Sequence, residues 1–296
     1  MTRALVTGGA GFLGSFLAEA LAGAGWEVTI FDRRESDHLP EGGTSVVGSI
    51  LDREALAEAA RGSDAVYHLA ALADLERARD EPVAAAESTV LGTVHALEAA
   101  RQAGAKRFVF ASTVYVYSRA GGFYRCSKQA GESFVEEYQR RFGLPFTILR
   151  YGSLYGPRAD PSNGVYRLLQ AAAADGSIRH AGHADDQREY IHVEDAARLS
   201  VEILAPDYEN QHLILTGPYP MRLGDLFVMF SEILGRDVEV RYEPTGPDHE
   251  HYRVTPYAFQ PGLGRKLTST CYVDMGQGLL QMLEEIRRQT EPEPGS

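Results

Sequence analysis

The stretch Ala4-Leu5-Val6-Thr7-Gly8-Gly9-Ala10-Gly11-Phe12-Leu13-Gly14 joins a short apolar run to a glycine-rich turn, and the residues that follow, as far as Ala24, carry leucine and alanine at helical spacing. Strand, turn and helix in this order are typical of a dinucleotide-binding βαβ unit. The glycines let backbone N–H groups and a helix N-terminus approach a pyrophosphate. The alternative interpretation is a turn that only packs a helix against a sheet.

The first half of the chain alternates short apolar runs with helical stretches. Runs bounded by Gly, Asp, Ser or Pro predict buried strands at Ala4–Thr7, Val28–Phe31, Ser45–Val47, Ala65–His68, Phe108–Ala111 and Phe146–Leu149. The stretches between them predict helices at Leu13–Ala24, Glu54–Ala60, Val83–Ala103 and Ser127–Phe142. This alternation predicts an α/β fold with a Rossmann-type, doubly wound parallel sheet and with ligands at the carboxyl ends of its strands.

After Arg150 the turn residues multiply, and short helices are predicted at Val165–Ala174, Glu194–Leu204 and Leu223–Leu234. Ile191–Asp195 is expected to return the chain to the large sheet, so the second lobe is discontinuous. We therefore predict a dinucleotide-binding domain at 1–155 with a return segment at about 189–205. A smaller C-terminal substrate-binding lobe then comprises 156–188 and 206–290, and 291–296 is a disordered tail.

Composition excludes several classes of function. The 296 residues are 44% hydrophobic with a net charge of -12, which argues against a nucleic-acid partner. No apolar stretch reaches the roughly 20 residues of a membrane span, and the first strand leaves no room for a signal peptide, so we expect a cytoplasmic protein. Cys126 and Cys271 are expected to be reduced thiols. His180, His183 and His192 lack metal-ligand spacing, so no metal is predicted.

Asp32 directly follows the second predicted strand. An acidic residue at this distance from the glycine turn accepts hydrogen bonds from the adenine ribose, and its charge repels a 2′-phosphate. The position therefore favours NAD over NADP. Arg33 and Arg34 weaken this preference, because a guanidinium beside the ribose accommodates such a phosphate or stacks on adenine.

Tyr124 and Lys128 are one helical turn apart, so their side chains leave the same face of the predicted helix. A tyrosine with a pKa near ~10 is a poor base at neutral pH, but a nearby ammonium and a positively charged nicotinamide favour the phenolate. Tyr124 is then a plausible general base for a substrate hydroxyl, with Thr113 as hydrogen-bond partner of the reacting oxygen and Lys128 on the nicotinamide ribose. The alternative is a Tyr–Lys pair that only stabilises a helix.

The chain resembles the extended short-chain dehydrogenase/reductases that act on nucleotide sugars. The strings in family order are Thr7–Gly14, His68-Leu69-Ala70-Ala71, Val109-Phe110-Ala111-Ser112-Thr113, Tyr124 with Lys128, Arg150–Arg158 and Arg188–Asp195. The resemblance implies catalysis by Thr113, Tyr124 and Lys128 and substrate contacts by Thr113, Ser153 and Arg188. It implies that NAD is bound by Gly8, Gly11, Phe12, Leu13, Asp32, Arg33, Ser49, Ile50, Leu69, Ala70, Ala71, Tyr124, Lys128 and Tyr151.

The residues after Thr113 favour one reaction within this family. At the positions of Thr113-Val114-Tyr115, the family's dehydratases have a string that resembles Thr-Asp-Glu, and its decarboxylases have Glu at the third position. This chain has Val114 and Tyr115 at the second and third positions. The resemblance therefore implies a nucleotide-sugar epimerase, of the UDP-hexose 4-epimerase kind, that oxidises the sugar to a keto sugar and returns the hydride. The alternatives are a reductase or dehydrogenase of a nucleotide keto sugar, and a non-catalytic NAD-binding regulator.

Several positions depart from the family pattern. The segment Ser118–Phe123 is much shorter than the usual loop over the sugar, and Ser49, Thr89 and Ser153 replace Asp, Asn and Asn. Arg188 resembles the family residue that pairs with the nucleotide diphosphate, although a surface salt bridge is its alternative role. The resemblance also implies a homodimer, through a four-helix bundle built from the two longest predicted helices, Val83–Ala103 and Ser127–Phe142.

Overall fold

Seven parallel strands form the central sheet of the computed structural model, which describes residues 2–244 and Val254. Numbered along the chain, they are β1 (Arg3–Thr7), β2 (Glu27–Asp32), β3 (Thr44–Val47), β4 (Ala65–His68), β5 (Arg107–Thr113), β6 (Phe146–Tyr151) and β10 (Gln211–Leu215). Their order is β10-β6-β5-β4-β1-β2-β3, and all neighbours are parallel. The predicted fold class is confirmed, and the strand order reverses between β1 and β4, where such sheets bind ligands.

Helices cover both faces of this sheet. On one face α1 (Phe12–Gly23) and α8 (Val193–Glu202) bury a core that includes Leu17, Leu21 and Ala196. The other face is covered by α2 (Arg53–Ala60), α5 (Gly92–Ala103) and α6 (Gly122–Phe142), which bury Leu56, Leu97 and Val135. Because the central strands are covered on both sides, they contain unbroken apolar runs, and β5 is buried at every position.

The helix predicted over Val83–Ala103 is not uniform. A short helix α3 (Leu75–Asp80) precedes α4 (Pro82–Ala85), and a π-helical segment, Ala86–Leu91, joins α4 to α5. Inside the π segment, the carbonyl oxygen of the buried Thr89 accepts a hydrogen bond at 2.5 Å from the Thr93 hydroxyl. π segments of this kind occur often at functional sites.

The smaller lobe contains two short sheets and its own core. One sheet has the order β11-β9-β7, from β7 (Ser153–Tyr155), β9 (Gln187–His192) and β11 (Pro220–Arg222). The other pairs β8 (Ser177–Ala181) with β12 (Glu239–Glu243). The helices are α7 (Gly164–Asp175) and α9 (Leu223–Leu234), and the lobe core includes Ala172, Ile178, Phe227 and Phe230.

The predicted return segment, Ile191–Asp195, contains the end of β9 and the start of α8. β9 pairs with β7 and β11 in the small sheet, but Ile191 and Val193 are buried in the core of the large sheet. The chain then continues along the large sheet through α8, which packs on α1, and through β10, which adds to β6 as an edge strand. The predicted lobe at 206–290 therefore contains one strand of the large sheet, because β10 is an edge strand in which Gln211 and Ile214 are exposed.

Some predictions concern residues that the structure does not describe. The tail 291–296, most of the lobe beyond residue 244, and Cys271 lie outside residues 2–244 and Val254. Within those described residues, no helix combines the length and the apolar character needed to cross a membrane. The cytoplasmic location stays a prediction.

Candidate active site

The glycine turn between β1 and α1 is held so tightly that side chains are excluded from it. Gly8 has φ +74°, and a Cβ there would lie 2.7 Å from the Ala70 nitrogen. A Cβ on Gly14 would lie 2.2 Å from the Gly8 carbonyl oxygen. Helix α1 begins after Gly11, and Gly11 has no side chain that could cap the first N–H groups of the helix. The turn therefore presents backbone N–H groups and the positive end of a helix to a ligand.

A cavity of about 810 Å³ opens at this turn, within the usual size range of ligand pockets. It lies at the carboxyl ends of β1, β2, β4, β5 and β6. Every residue predicted to bind the cofactor lines it, and Thr113 does so as well. The glycine turn, the predicted ribose carboxylate and the predicted catalytic side chains therefore share one cavity.

Asp32 is anchored at the end of β2 by the glycine turn itself. Its Oδ2 accepts a hydrogen bond from the Ala10 nitrogen at 3.1 Å. Arg34 donates from Nη2 to the Ala10 carbonyl oxygen at 3.1 Å, and Arg33 also lines the cavity. The carboxylate is thus fixed beside the turn, where its charge disfavours a 2′-phosphate and suits NAD.

A buried histidine connects the glycine turn to the helices beneath it. The Thr93 hydroxyl donates to the Thr89 carbonyl, so it accepts from His68 Nε2 at 3.1 Å, and His68 Nδ1 then accepts from the Thr7 hydroxyl at 2.8 Å. Burial, with a smaller contribution from the charge of Lys128, lowers the pKa of His68 to about 3. The imidazole is therefore neutral and acts as a hydrogen-bond bridge.

Thr89 stands where the family pattern has Asn, and its hydroxyl has a definite partner. Thr89 Oγ1 accepts a hydrogen bond from the Leu72 nitrogen at 3.3 Å. The segment Leu69–Leu72 lines the cavity. The substitution therefore preserves an acceptor that fixes this wall of the cavity to the π-helical segment.

The proposed catalytic side chains lie where β5 ends and α6 begins. Lys128 is buried, and its Nζ donates to the Ala111 carbonyl oxygen at 2.6 Å and lies 5.9 Å from the centroid of the Tyr124 ring. Burial lowers the pKa of Lys128 to about 7, while the Glu132 carboxylate opposes this fall. Thr113 is buried at the end of β5, and its Oγ1 accepts from the Tyr115 nitrogen at 3.3 Å.

The connection from β5 to α6 is shorter than the sequence indicates. A 3₁₀ turn occupies Val114–Tyr117, and α6 begins at Gly122 rather than at Ser127, so the loop is only Ser118–Gly121. Gly121 has φ +88°, which L side chains rarely adopt, and this glycine starts the helix early. Tyr124 therefore lies in the first turn of α6, where the Tyr115 ring packs edge-on against it at 6.4 Å.

Two predicted residues, Ser153 and Arg188, are placed differently from the rest. The described residues that line the cavity include Gly152 and Leu154 but neither Ser153 nor Arg188. Successive strand residues point to opposite faces, which accounts for Ser153. The buried Arg188 donates from Nη1 to the Gln187 carbonyl oxygen at 2.9 Å. The substrate contacts of Ser153 and Arg188 stay predictions.

Tyr151 lines the cavity, but its hydroxyl is bound inside the protein. It is hydrogen-bonded to Ser200 Oγ at 2.6 Å, and burial raises the pKa of the phenol. Tyr151 therefore forms part of the cavity wall and does not act as an acid or a base. The only phenol predicted to do proton transfer is that of Tyr124.

No motif in the sequence indicates that the loop after β7 reaches the cavity. Asp160, Ser162 and Asn163 line it, although their string indicates only a turn and a helix cap. Arg158 holds this loop against α1, because its Nη2 lies 2.8 Å from Glu19 Oε1 and its guanidinium lies 4.1 Å from the Phe16 ring centroid. Asp74, Arg77, Glu87 and Ser88 also line the cavity without a recognisable motif.

Histidines do not form a metal centre in the described part of the chain. No group of three or more His, Cys, Asp or Glu side chains there could hold a metal ion. His180 contacts aromatic rings instead, with its centroid 5.9 Å from that of Phe227.

Comparison with known sequences gives a consistent result. The profile of the NAD dependent epimerase/dehydratase family matches residues 4–214. The chain is similar to a UDP-N-acetyl-alpha-D-glucosaminuronate decarboxylase of Bacillus cytotoxicus, with 33% identity over 67% of this chain and 70% of the relative. It is also similar to a UDP-glucose 4-epimerase of Mycolicibacterium smegmatis, with 30% identity over 82% of this chain and 86% of the relative.

Solved structures resemble the whole chain. The UDP-glucose 4-epimerase of Thermotoga maritima, solved with UDP-glucose, matches with a TM-score of 0.79 and 26% identity, over 98% of this chain and all of that one. The UDP-glucose 4-epimerase of Thermus thermophilus, solved with NAD, matches with a TM-score of 0.76 and 26% identity, over 100% of this chain and 95% of that one. Both likenesses extend over the sheet and the smaller lobe.

Proposed function

Because the chain belongs to the NAD-dependent epimerase/dehydratase family, we propose that it is a nucleotide-sugar epimerase that inverts C4 of a UDP-hexose. The observation that carries this proposal is the placement of Thr113, Tyr124 and Lys128 on one cavity with the glycine turn. The UDP-sugars named for its relatives support the choice of nucleotide.

The cavity fits the dinucleotide that the family uses. A Cβ at Gly8 or Gly14 would clash with the backbone around the glycine turn, where the pyrophosphate is expected. Asp32 is fixed where the adenine ribose is expected. When bound, NAD supplies a hydride acceptor and donor for the sugar carbon. Gly11 and Leu13 would meet its pyrophosphate, and Lys128 would meet its nicotinamide ribose.

The protein's own contribution is proton transfer and positioning. The ammonium of Lys128 favours the phenolate of Tyr124, which removes the proton from the sugar 4-hydroxyl and later returns it. Thr113 donates a hydrogen bond to the same sugar oxygen and fixes its position. No water and no net oxidant are consumed, so one proton on Tyr124 serves both halves of the reaction.

The residues after Thr113 favour epimerisation over elimination or decarboxylation. Val114 is buried and Tyr115 packs against Tyr124, so neither position offers a carboxylate. Elimination of water needs a further acid and base beside the sugar. The remaining chemistry is oxidation and reduction at one carbon.

The experiment is a panel of UDP-, dTDP-, GDP- and CDP-sugars without added cofactor, followed by proton NMR of the sugar. We expect interconversion of C4 epimers of a UDP-hexose, and its loss by at least about 10²-fold in Tyr124→Phe, which retains bound NAD. Stoichiometric change in NADH would instead identify a reductase or dehydrogenase. Bound NAD without turnover of any sugar would identify a binding protein.

We also propose that the protein is a homodimer. The helical run Pro82–Ala103 packs beside α6, and both carry exposed apolar side chains. These are Val83, Leu91, Phe134 and Phe142, which are 69%, 45%, 41% and 53% exposed. Two such helix pairs would bury this surface in a four-helix bundle.

A further inference from the structure

A buried ion pair lies behind the catalytic side chains. Glu132 accepts two hydrogen bonds from Arg150, at 3.0 Å from Nε and 2.6 Å from Nη2, and the two side chains are only 9% and 14% exposed. Glu132 Oε1 also accepts from the Ser112 hydroxyl at 2.5 Å. One carboxylate therefore binds α6, β5 and β6 together.

Arg150 is itself held from the far side. Its Nη1 donates to the Tyr117 hydroxyl, and its guanidinium lies 4.7 Å from the centre of that ring. Its Nη2 donates to His212 Nδ1 at 3.0 Å, and His212 Nε2 lies 3.1 Å from Glu136 Oε1. The guanidinium is thus fixed in one orientation, and Glu132 cannot move without breaking a bidentate pair.

Each member of this pair is adjacent to the site. Ser112 precedes Thr113 on β5, and the parallel register places Ser112 beside Arg150 and Thr113 beside Tyr151. Glu132 lies one helical turn beyond Lys128 on α6. A shift of Glu132 would therefore move both the end of β5 and the lysine.

Glu132 carries a negative charge one helical turn from the lysine on α6, and this charge acts on Lys128. Around Lys128, α6 contributes Tyr124 and Glu132, β4 contributes the neutral His68, and β5 contributes the Phe110 ring and the Ala111 carbonyl. On β6, Arg150 is bonded to Glu132. The Glu132 charge raises the pKa of Lys128 against the effect of burial.

We propose that Glu132, which touches no reacting atom, is a positioning residue: held by Arg150, it fixes Ser112 and hence the Thr113 hydroxyl, and it keeps an anion beside the Lys128 ammonium. The positional part of this inference rests on the proposed function. The electrostatic part does not, because it concerns the charge of the lysine in the unliganded protein.

The electrostatic part is tested by NMR. The chain has only three lysines, Lys106, Lys128 and Lys266, so ¹³C-labelled lysine gives three side-chain signals that Lys106→Arg and Lys266→Arg assign. In Glu132→Gln we expect the pKa of Lys128 to fall by about 1. Glu136→Gln, at the outer end of the network, should leave it unchanged. An unchanged Lys128 titration in Glu132→Gln would overturn the electrostatic part.

The positional part is tested by kinetics. In Glu132→Gln we expect kcat to fall by about 10–100-fold with KM altered far less, because misplacement of catalytic groups by about 1 Å has an effect of this size. Glu136→Gln should retain wild-type turnover. The double variant Glu132→Leu/Arg150→Met replaces the pair by apolar side chains of similar size and should remain folded.

The double variant separates positioning from stability. We expect it to unfold near the wild-type temperature and still to lose turnover, since Ser112 has lost its acceptor. Wild-type turnover in the double variant would overturn the positional part. If the wild-type protein itself turns over no sugar, the proposed function fails, while the lysine titration still decides the electrostatic part.

Discussion

At the scale of single residues, burial keeps His68 unprotonated at pH values at which a histidine in an unfolded chain binds a proton. His68 bridges Thr7 and Thr93 as a neutral imidazole, with a pKa of about 3 against 6.5 in an unfolded chain. Between these values the unfolded chain binds a proton that the folded chain does not. The stability of the fold therefore decreases as the pH falls from about 6.5 towards 3.

His68→Asn tests this linkage. We expect the wild type to lose roughly 3 kcal/mol of unfolding free energy through His68 between pH 6.5 and pH 4. The variant lacks the titrating group, so its stability depends less on pH, although at pH 7 it is less stable by about 1–3 kcal/mol because Thr93 loses a partner. Urea unfolding at several pH values measures both. Parallel losses in the two proteins would contradict the linkage.

Local motifs and the family resemblance together predict the catalytic and cofactor-binding candidates, because each candidate lies in or beside a short motif. Tyr124 and Lys128 are four positions apart, and Gly8 and Gly14 lie in one turn. Asp160 and Asn163 could not be found in this way, since they reach the cavity through a loop that Arg158 fixes to α1. The sequence likewise does not predict the Glu132–Arg150 pair, because the pair depends on the register of β5 and β6.

At the scale of elements, α1 contains two glycines with opposite expected responses to alanine. A Cβ on Gly14 would meet the backbone of Gly8 and Gly9, which cannot rotate away, whereas nothing lies within 4 Å of a Cβ on Gly23. The first glycine is needed for close approach of the turn to the helix. The second only weakens the helix.

We expect Gly14→Ala to reduce the unfolding free energy by about 1–3 kcal/mol and to abolish retention of NAD. Gly23→Ala should raise the unfolding free energy by a few tenths to about 1 kcal/mol and leave NAD bound. Thermal unfolding and the cofactor content of the purified proteins measure these effects. Equal behaviour of the two variants would contradict the role assigned to Gly14.

The first six strands, β1 to β6, are predictable from the sequence, and the later strands are not. β1, β4 and β5 are apolar runs buried on both faces, and the structure confirms them. Strands such as β8 and β12 bury few residues, since β8 buries only Ile178 and β12 buries none, and a loop can show the same pattern. The early start of α6 depends on the positive φ of Gly121, which propensity does not report.

At the scale of the whole molecule, the proposed dimer makes a distinct prediction. Phe134→Glu would place an unpaired carboxylate in the helix bundle at a cost above about 3 kcal/mol, which weakens association by at least roughly 100-fold. Sedimentation velocity should then show a monomer. The control is Ile233→Glu on α9, where the isoleucine is 72% exposed but lies away from these helices. A monomeric wild type would contradict the proposal.

The edge strand β10 has a consequence for how the chain is made. Thr147 on β6 pairs with Gln211 on β10, so the last strand of the large sheet emerges from the ribosome long after its neighbour. At about 5–20 residues per second the nascent chain holds the N–H and C=O groups of β6 exposed for several seconds. A chain that stops at residue 155 would keep that edge open permanently and self-associate through it.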